Sequence, residues 1–362
     1  MRRYPDIGTV RRITICGTGA GGLALAHAFV RRGKDVTLAS LDRPTAATAL
    51  VARQGFTARE GKSLTHHTVR VTTDSREAFL RADAVAIVAP AAARRRYVER
   101  VVSACAPHVP IVLIPGGLAV GLSCSPLFRE RGFLETNEFP CVARLCERDV
   151  VDIHYTSSHF WAGAYPTEYT DYAVSLLEDW FGFPIAPTDH TIHCGLMQWN
   201  MILHPPIAYT NLSRIEKQED FAFYRPSGGM TPAVAAIMES LDGERLAVGR
   251  ALSLTTPSLK AYLAGYPLTG IDSFSTLYDA VTADASTEYI RGPISINHRY
   301  LQEDIPYGLM PLSALGRALN VRTPMTDAFI TFARSLYGDA LLGEGTSCEA
   351  AACRFVASLP SQ

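Results

Sequence analysis

The chain has 362 residues, more than a single hydrophobic core usually spans, so two domains of roughly 150 to 200 residues each are expected. Its 34 basic and 35 acidic side chains give a formal charge of -1, which excludes the broad positive field of a protein that grips nucleic acid by charge. No apolar run reaches the roughly 18 residues of a membrane span, and none follows Arg2 and Arg3 in the manner of a signal peptide. The expectation is a cytoplasmic protein with small-molecule partners and neither nucleic acid nor membrane among them.

From Arg12 to Glu147 short β-branched runs alternate with longer helical patterns, the order of a parallel sheet covered by helices on both faces. Strands are expected at Ile13 to Cys16, Asp35 to Ala39, Thr68 to Thr72, Ala84 to Ala89, Ile111 to Ile114 and Cys141 to Leu145. Helices are expected at Gly21 to Arg32, Pro44 to Arg53, Ser75 to Leu80, Ala91 to Cys105 and Leu118 to Arg131. Between the first strand and the first helix runs Gly17-Thr18-Gly19-Ala20-Gly21-Gly22. Gly-x-Gly-x-x-Gly alone is a weak signal. With a buried-strand pattern before it and Leu23-Ala24-Leu25-Ala26 opening a helix after it, the turn reads as the dinucleotide site of a Rossmann fold. Gly17 permits the tight turn, Gly19 the approach of a pyrophosphate, and Gly22 close helix packing. Thr18 and Ala20 lie between them, and the helix start offers free N–H groups to the phosphates.

The end of the second strand decides between the two nicotinamide cofactors, because an acid there binds the adenosine ribose and repels a 2′-phosphate. Ser40 occupies that position and Arg43 follows three residues on, which favours NADP(H). Asp42 keeps NAD(H) open, since one more strand residue would bring it to the acidic position. Pro90 and the pair Gly116-Gly117 follow the fourth and fifth strands, whose carboxyl ends face the ligand crevice of such a sheet, and are candidates to line the nicotinamide pocket.

Beyond Phe183 the pattern turns to helices broken by proline and glycine, at Thr191 to Leu203, Thr231 to Leu252, Thr276 to Ala283, Pro311 to Leu319 and Met325 to Tyr337. The expected fold is therefore α/β, with a doubly wound Rossmann domain over 1–183 and a mostly α-helical substrate domain over 184–362. Apolar faces on those helices are compatible with a homodimer. Eight cysteines show no Cys-x-x-Cys pair and no zinc-ligand spacing, so no metal is expected. Cys348 and Cys353 would pair only in an oxidising compartment.

Three polar features interrupt the second half. Asn200 and His204 are four residues apart and share a helix face, and the prolines 205 and 206 are expected to end or kink that helix and leave the imidazole at its terminus. A satisfied core histidine is the ordinary reading of such a residue. Asn297-His298-Arg299-Tyr300-Leu301-Gln302-Glu303-Asp304 supplies an arginine able to clamp a carboxylate and an aspartate able to orient a histidine, or else a solvated loop. Ser240-Leu241-Asp242-Gly243-Glu244-Arg245-Leu246 reads as structural charge pairs in or beside a helix.

His204-Pro205-Pro206, Tyr224-Arg225-Pro226-Ser227-Gly228-Gly229-Met230-Thr231-Pro232, the Asp242 to Arg245 segment, and His298-Arg299-Tyr300 with Glu303-Asp304-Ile305-Pro306-Tyr307-Gly308 together resemble the octopine and opine dehydrogenases, over nearly the whole chain. The resemblance implies condensation of an amino acid with a 2-keto acid, such as pyruvate, followed by reduction of the imine by NAD(P)H to an N-(carboxyalkyl) amino acid. It implies His204 and Asp304 as the proton-handling pair and Arg299 as the carboxylate clamp; Asn200, by its place on the helix face of His204, is a substrate-binding candidate beside them. One run departs from the family, with a residue inserted and an acid replaced in Tyr224 to Gly229. Two other readings stand beside this one. Reduction of a 2-keto acid alone, as in ketopantoate reductase-like proteins, brings a lysine at the start of the helical domain, but Thr188 to Met201 contains none. A nicotinamide sensor without turnover has no use for His204, Arg299 and Asp304 together.

Overall fold

The computed structural model describes residues 4–41, 45–128, 131–157, 160–265, 273–339 and 347–359. They form two compact units, one of Met1–Gly116 with Cys124–Cys194 and one of Gly117–Ser123 with Gly195–Gln362. The sequence placed a single division after residue 183, whereas the chain crosses between the units more than once.

The first unit is built on an eight-stranded sheet. Its strands are β1 (Arg12–Cys16), β2 (Asp35–Ala39), β5 (Arg70–Thr72), β6 (Ala84–Ile87), β7 (Ile111–Leu113), β8 (Phe133–Thr136), β11 (Trp161–Tyr165) and β12 (Ala186–Pro187). They lie in the order β12-β11-β8-β7-β6-β1-β2-β5. From β5 to β8 every pairing is parallel, and β11 runs antiparallel to β8. This is the doubly wound order, reversing between β1 and β6, and ligands of such sheets bind at that reversal. β1 and β6 are buried on both faces, as strands covered by helices on both sides must be. The core packs Leu23, Leu25 and Phe29 of helix α1 (Ala20–Arg31) with Ile13, Ile15, Leu176 and Trp180. Each such side chain contributes about 1.5–3 kcal/mol.

A second sheet joins the same unit. β3 (Phe56–Glu60), β4 (Ser63–His67), β9 (Cys141–Leu145) and β10 (Val150–Thr156) lie in the order β4-β3-β10-β9. Cys141 to Leu145 was expected in the parallel sheet and is instead paired antiparallel with β10. Strands β3, β4, β8, β10, β11 and β12 were not expected. β4 is exposed over Ser63–His66, so it has no apolar run to announce it, and β10 shows alternation rather than the continuous run of a buried parallel strand. The remaining helices of the first half are α2 (Ala46–Gln54), α3 (Ser75–Leu80), α4 (Ala91–Ala104), α5 (Leu118–Cys124) and α6 (Thr170–Phe181). The helix expected over Leu118 to Arg131 ends at Cys124 and gives way to a 3₁₀ turn at Ser125–Phe128, where Pro126 has no N–H for the ladder.

Beyond β12 the described residues are mostly helical: α7 (Thr191–Leu196), α8 (Asn200–Thr210), α9 (Leu212–Glu216), α10 (Pro232–Ala251), α11 (Leu259–Ala264), α12 (Leu277–Ala283), α13 (Arg299–Gln302), α14 (Met310–Ala318), α15 (Pro324–Tyr337) and α16 (Ser347–Ala357). α10 is their spine. Thr231 caps it and Pro232 opens it, a start for which proline's fixed φ is suited. With 20 residues it runs about 30 Å, and its buried stripe Val234, Met238, Leu241, Arg245 and Val248 faces the core. α8, α12, α14 and α15 pack on it. Among the described residues no helix is long and apolar enough to cross a membrane, and no group of three or more His, Cys, Asp or Glu side chains could hold a metal.

Candidate active site

The glycine turn lies at the carboxyl end of β1, where the strand order reverses. Gly17 has φ +143, and a Cβ there would stand 2.2 Å from the Val88 carbonyl oxygen, so no side chain fits. A Cβ on Gly22 would stand 2.0 Å from the Gly17 oxygen, which is the close helix packing expected of the third glycine. Gly19 differs. A Cβ there would meet nothing within 4 Å, so the space in front of the turn is open. Gly19 also caps α1 without any side-chain hydrogen bond, which leaves the first N–H groups of the helix facing that space. Thr18 is hydrogen-bonded through its hydroxyl to Thr48 at 2.9 Å, fixing the turn against α2. These features fit a dinucleotide pyrophosphate.

β2 ends at Ala39, so Ser40 is the first residue beyond it, as counted from the sequence. It is buried, and its N–H donates to the Thr72 carbonyl at 3.0 Å. Arg43 and Asp42, the other residues of the cofactor reading, lie outside the described residues. Pro90 follows β6 and caps α4 in an exposed position. Sequence reasoning missed Arg94, whose guanidinium donates to the Ala89 and Gly116 carbonyls at 3.1 and 2.6 Å. It therefore binds together the two loops at the ends of β6 and β7. Its signal was its place one helical turn after Pro90.

In the second unit His204 lies inside α8, which runs on to Thr210 with Pro205 and Pro206 inside it. The prolines do not end the helix, and the expectation that the imidazole stands at its terminus is corrected. The break instead precedes the histidine, between Leu196 and Asn200, and divides the single helix expected over Thr191 to Leu203. The Leu196 carbonyl there is taken by the Arg245 guanidinium at 3.0 Å, so the break is fixed from outside the helix.

His204 Nδ1 is 2.6 Å from Asp304 Oδ2, a contact across one hundred residues of sequence, and the side chains are 6% and 16% exposed. Since a carboxylate only accepts, Nδ1 carries the proton and Nε2 is the free acceptor. Asp304 stands at the end of α13, where the chain enters the π turn Ile305–Leu309. Tyr300 stacks on the imidazole at 3.9 Å between centroids, and Phe223 and Tyr224 lie at 6.2 Å each. Burial pulls the His204 pKa below the usual imidazole value, and Asp304 opposes that pull. The imidazole is therefore neutral near pH 7, with a counter-ion ready for its cation.

Arg299 opens α13, is exposed, and has its guanidinium 5.8 Å from the Tyr300 ring centre. Among the described residues no carboxylate pairs with it, which leaves its fork free for a ligand. Asn200 is the first residue of α8 and is exposed. No hydrogen bond joins it to the pair among the described residues. The departing run Tyr224 to Gly229 closes as a turn, with the Gly228 and Met230 N–H groups donating to the Arg225 carbonyl at 2.9 and 3.2 Å. The Arg225 guanidinium anchors it to the carbonyls of Thr282 and Asp284. Sequence reasoning gave no role to Tyr300 or Phe223, although Tyr300 directly follows Arg299.

Two family models match the chain. The model described as "NAD/NADP octopine/nopaline dehydrogenase, alpha-helical domain" covers residues 187–337. "NAD-dependent glycerol-3-phosphate dehydrogenase N-terminus" covers residues 12–125. The opine dehydrogenase of Arthrobacter sp. (strain 1C) is 29% identical over 343 residues, covering 92% of this chain and 93% of that protein. An octopine dehydrogenase structure in complex with NADH and agmatine superposes with a TM-score of 0.75 at 21% identity, over 91% of this chain and 90% of that one. A yersinopine dehydrogenase structure with NADP+ bound gives 0.77 at 15% identity, over 97% and 99%. At these identities the two structures establish the fold, an N-terminal Rossmann-like domain followed by an α-helical one.

Proposed function

We propose that the chain acts as the octopine and opine dehydrogenases that it is similar to, joining the amino group of an amino acid to a 2-keto acid, such as pyruvate, and reducing the product to an N-(carboxyalkyl) amino acid. It is an NAD(P)-dependent oxidoreductase. The observation that carries the reading is the buried His204–Asp304 pair, with Tyr300 stacked on the imidazole and Arg299, which pairs with no carboxylate among the described residues, next to Tyr300 in sequence. A satisfied core histidine needs neither a carboxyl partner at 2.6 Å nor an aromatic ring stacked at 3.9 Å.

Attack on a carbonyl requires an uncharged amine, and His204 Nε2 takes the proton from the ammonium group of the amino acid. The resulting imidazolium is held by Asp304. After the amine adds to the keto carbon, His204 returns the proton to the carbinolamine hydroxyl, which leaves as water and forms the iminium. Arg299 clamps the keto-acid carboxylate with two parallel hydrogen bonds and so sets the orientation of its carbonyl carbon. Tyr300, with Phe223 packed 4.8 Å from it, keeps water from the imidazole face it covers. When bound, NAD(P)H supplies the hydride. The backbone of Gly17, Thr18, Gly19, Ala20 and Gly22 would hold its pyrophosphate and Pro90 would stand on the nicotinamide side. Ser40 and Arg43 would face the adenosine ribose and favour NADP(H) over NAD(H).

A matrix of amino acids against pyruvate, 2-oxoglutarate and glyoxylate tests the reading, followed by NADPH and NADH oxidation. Oxidation should require both substrates. Oxidation with a keto acid alone would establish a simple keto-acid reductase, and none at all with any pair would overturn the proposal.

A further inference from the structure

The pair Asp242 and Arg245 sits in the middle of the apolar stripe of α10, and Arg245 is 0% exposed. Its Nε donates to Asp242 Oδ1 at 2.8 Å, Nη1 to the Leu196 carbonyl at 3.0 Å and Nη2 to the Pro257 carbonyl at 2.7 Å. Asp242 Oδ2 accepts the Leu259 N–H at 2.9 Å. The guanidinium also lies over the Trp199 ring at 4.8 Å, and the indole is stacked on Tyr262 at 4.5 Å. Leu196 ends α7 and Trp199 caps α8, so Arg245 grips both sides of the break from which the His204 helix starts.

That helix cannot set its own start. Pro205 and Pro206 remove the N–H donors opposite the Met201 and Ile202 carbonyls, in the turn that carries His204. Its cap, Trp199, makes no side-chain capping bond. Stability alone does not explain the clamp, because apolar residues usually replace a buried ion pair without loss. We propose that Arg245, held by Asp242, is a positioning residue for His204: it fixes where α8 begins and thereby how the imidazole meets Asp304. The planar guanidinium fork reaches two carbonyls and a carboxylate at once, which a lysine ammonium on one flexible stem does not.

The inference rests on the proposed role of His204, and its test reads that residue directly. In the full-length chain, the downfield proton resonance of the His204 Nδ1–H is assigned by its loss in His204→Gln and then followed in Arg245→Lys and Arg245→Met. Both variants should broaden or lose the resonance. They should lower kcat about 10- to 100-fold, as small misplacements of catalytic groups do. KM for the keto acid should stay within about threefold and the NADPH dissociation constant should be unchanged. Should Arg245→Met fail to fold, Arg245→Lys carries the test with the same direction and a smaller size. Variants that melt earlier yet keep both resonance and kcat would overturn the proposal and leave the pair a packing element. If the wild type turns over no amine and keto-acid pair, the proposed activity fails, while the resonance still decides the positioning role.

Discussion

The two proposed sites are built from different parts of the polypeptide. In the first unit the proposed cofactor site is backbone, the six consecutive residues of the glycine turn. In the second the proposed catalytic pair is two side chains a hundred residues apart in sequence and 2.6 Å apart in space. A backbone site tolerates almost no added atoms but is indifferent to distant residues. A side-chain pair is sensitive to every contact that orients its helices. The two should therefore fail separately.

The largest expected effect comes from the side-chain site. His204→Gln should lower turnover by about two to four orders of magnitude, the range of a lost general acid–base group, with NADPH affinity unchanged in a fluorescence titration. Near-normal turnover would return His204 to the core. Substitutions in the glycine turn should give the converse. Gly22→Ala would put a methyl group 2.0 Å from the Gly17 oxygen and should weaken NADPH binding about 10- to 100-fold, a distortion of 1 to 3 kcal/mol, and lower Tm as well. Gly19→Ala, with nothing within 4 Å of the new carbon, should keep Tm and still weaken NADPH, because the methyl group enters the space offered to the pyrophosphate. Equal Tm losses in both variants would remove the distinction between a packing glycine and a ligand glycine.

A smaller difference lies in acid stability. In the first unit burial lowers the pKa of His27, His67 and His190, the last to about 4. Glu60 opposes the shift at His27, while Arg31 adds to it at both His27 and His67 and His66 adds at His67. His193 adds at His190. A histidine whose folded pKa lies below its unfolded value near 6.5 takes up its proton more readily in the unfolded chain. The stability it contributes is present above pH 6.5 and is lost as pH falls through the folded value. The 2.7 Å contact between His27 Nδ1 and His67 Nε2 sharpens this, since it cannot survive with both rings protonated. Tm should therefore fall between pH 7 and pH 5 by an amount equivalent to about 1 to 3 kcal/mol. A flat profile over that range would mean that these rings are hydrated as in the unfolded chain.

The same contrast explains what could be read without the structure. The strands β1, β2, β6 and β7 came within about two residues of their observed ends because burial on both faces writes them as apolar runs. The second sheet left no such mark, as β4 is mostly exposed and β10 only alternates. At the site, the six glycine-turn residues are contiguous, so local pattern sufficed. His204 and Asp304 share no local pattern, and it was the resemblance of several scattered segments that paired them. The proline argument failed at His204 because it treated the helix as isolated, whereas Arg245 holds the helix start from another element. Asp242 and Arg245 looked like ordinary helix charges for the same reason.

The most direct test of the central claim uses NADPH carrying deuterium at the transferred position, with pyruvate and the best amino acid from the substrate matrix, and product masses read by mass spectrometry. The account predicts deuterium in a secondary amine whose mass is the sum of the two substrates less water plus the transferred deuteride and a proton, with the label on the carbon that was the keto carbon. Deuterium found in the 2-hydroxy acid, with the amino acid unchanged, would contradict it.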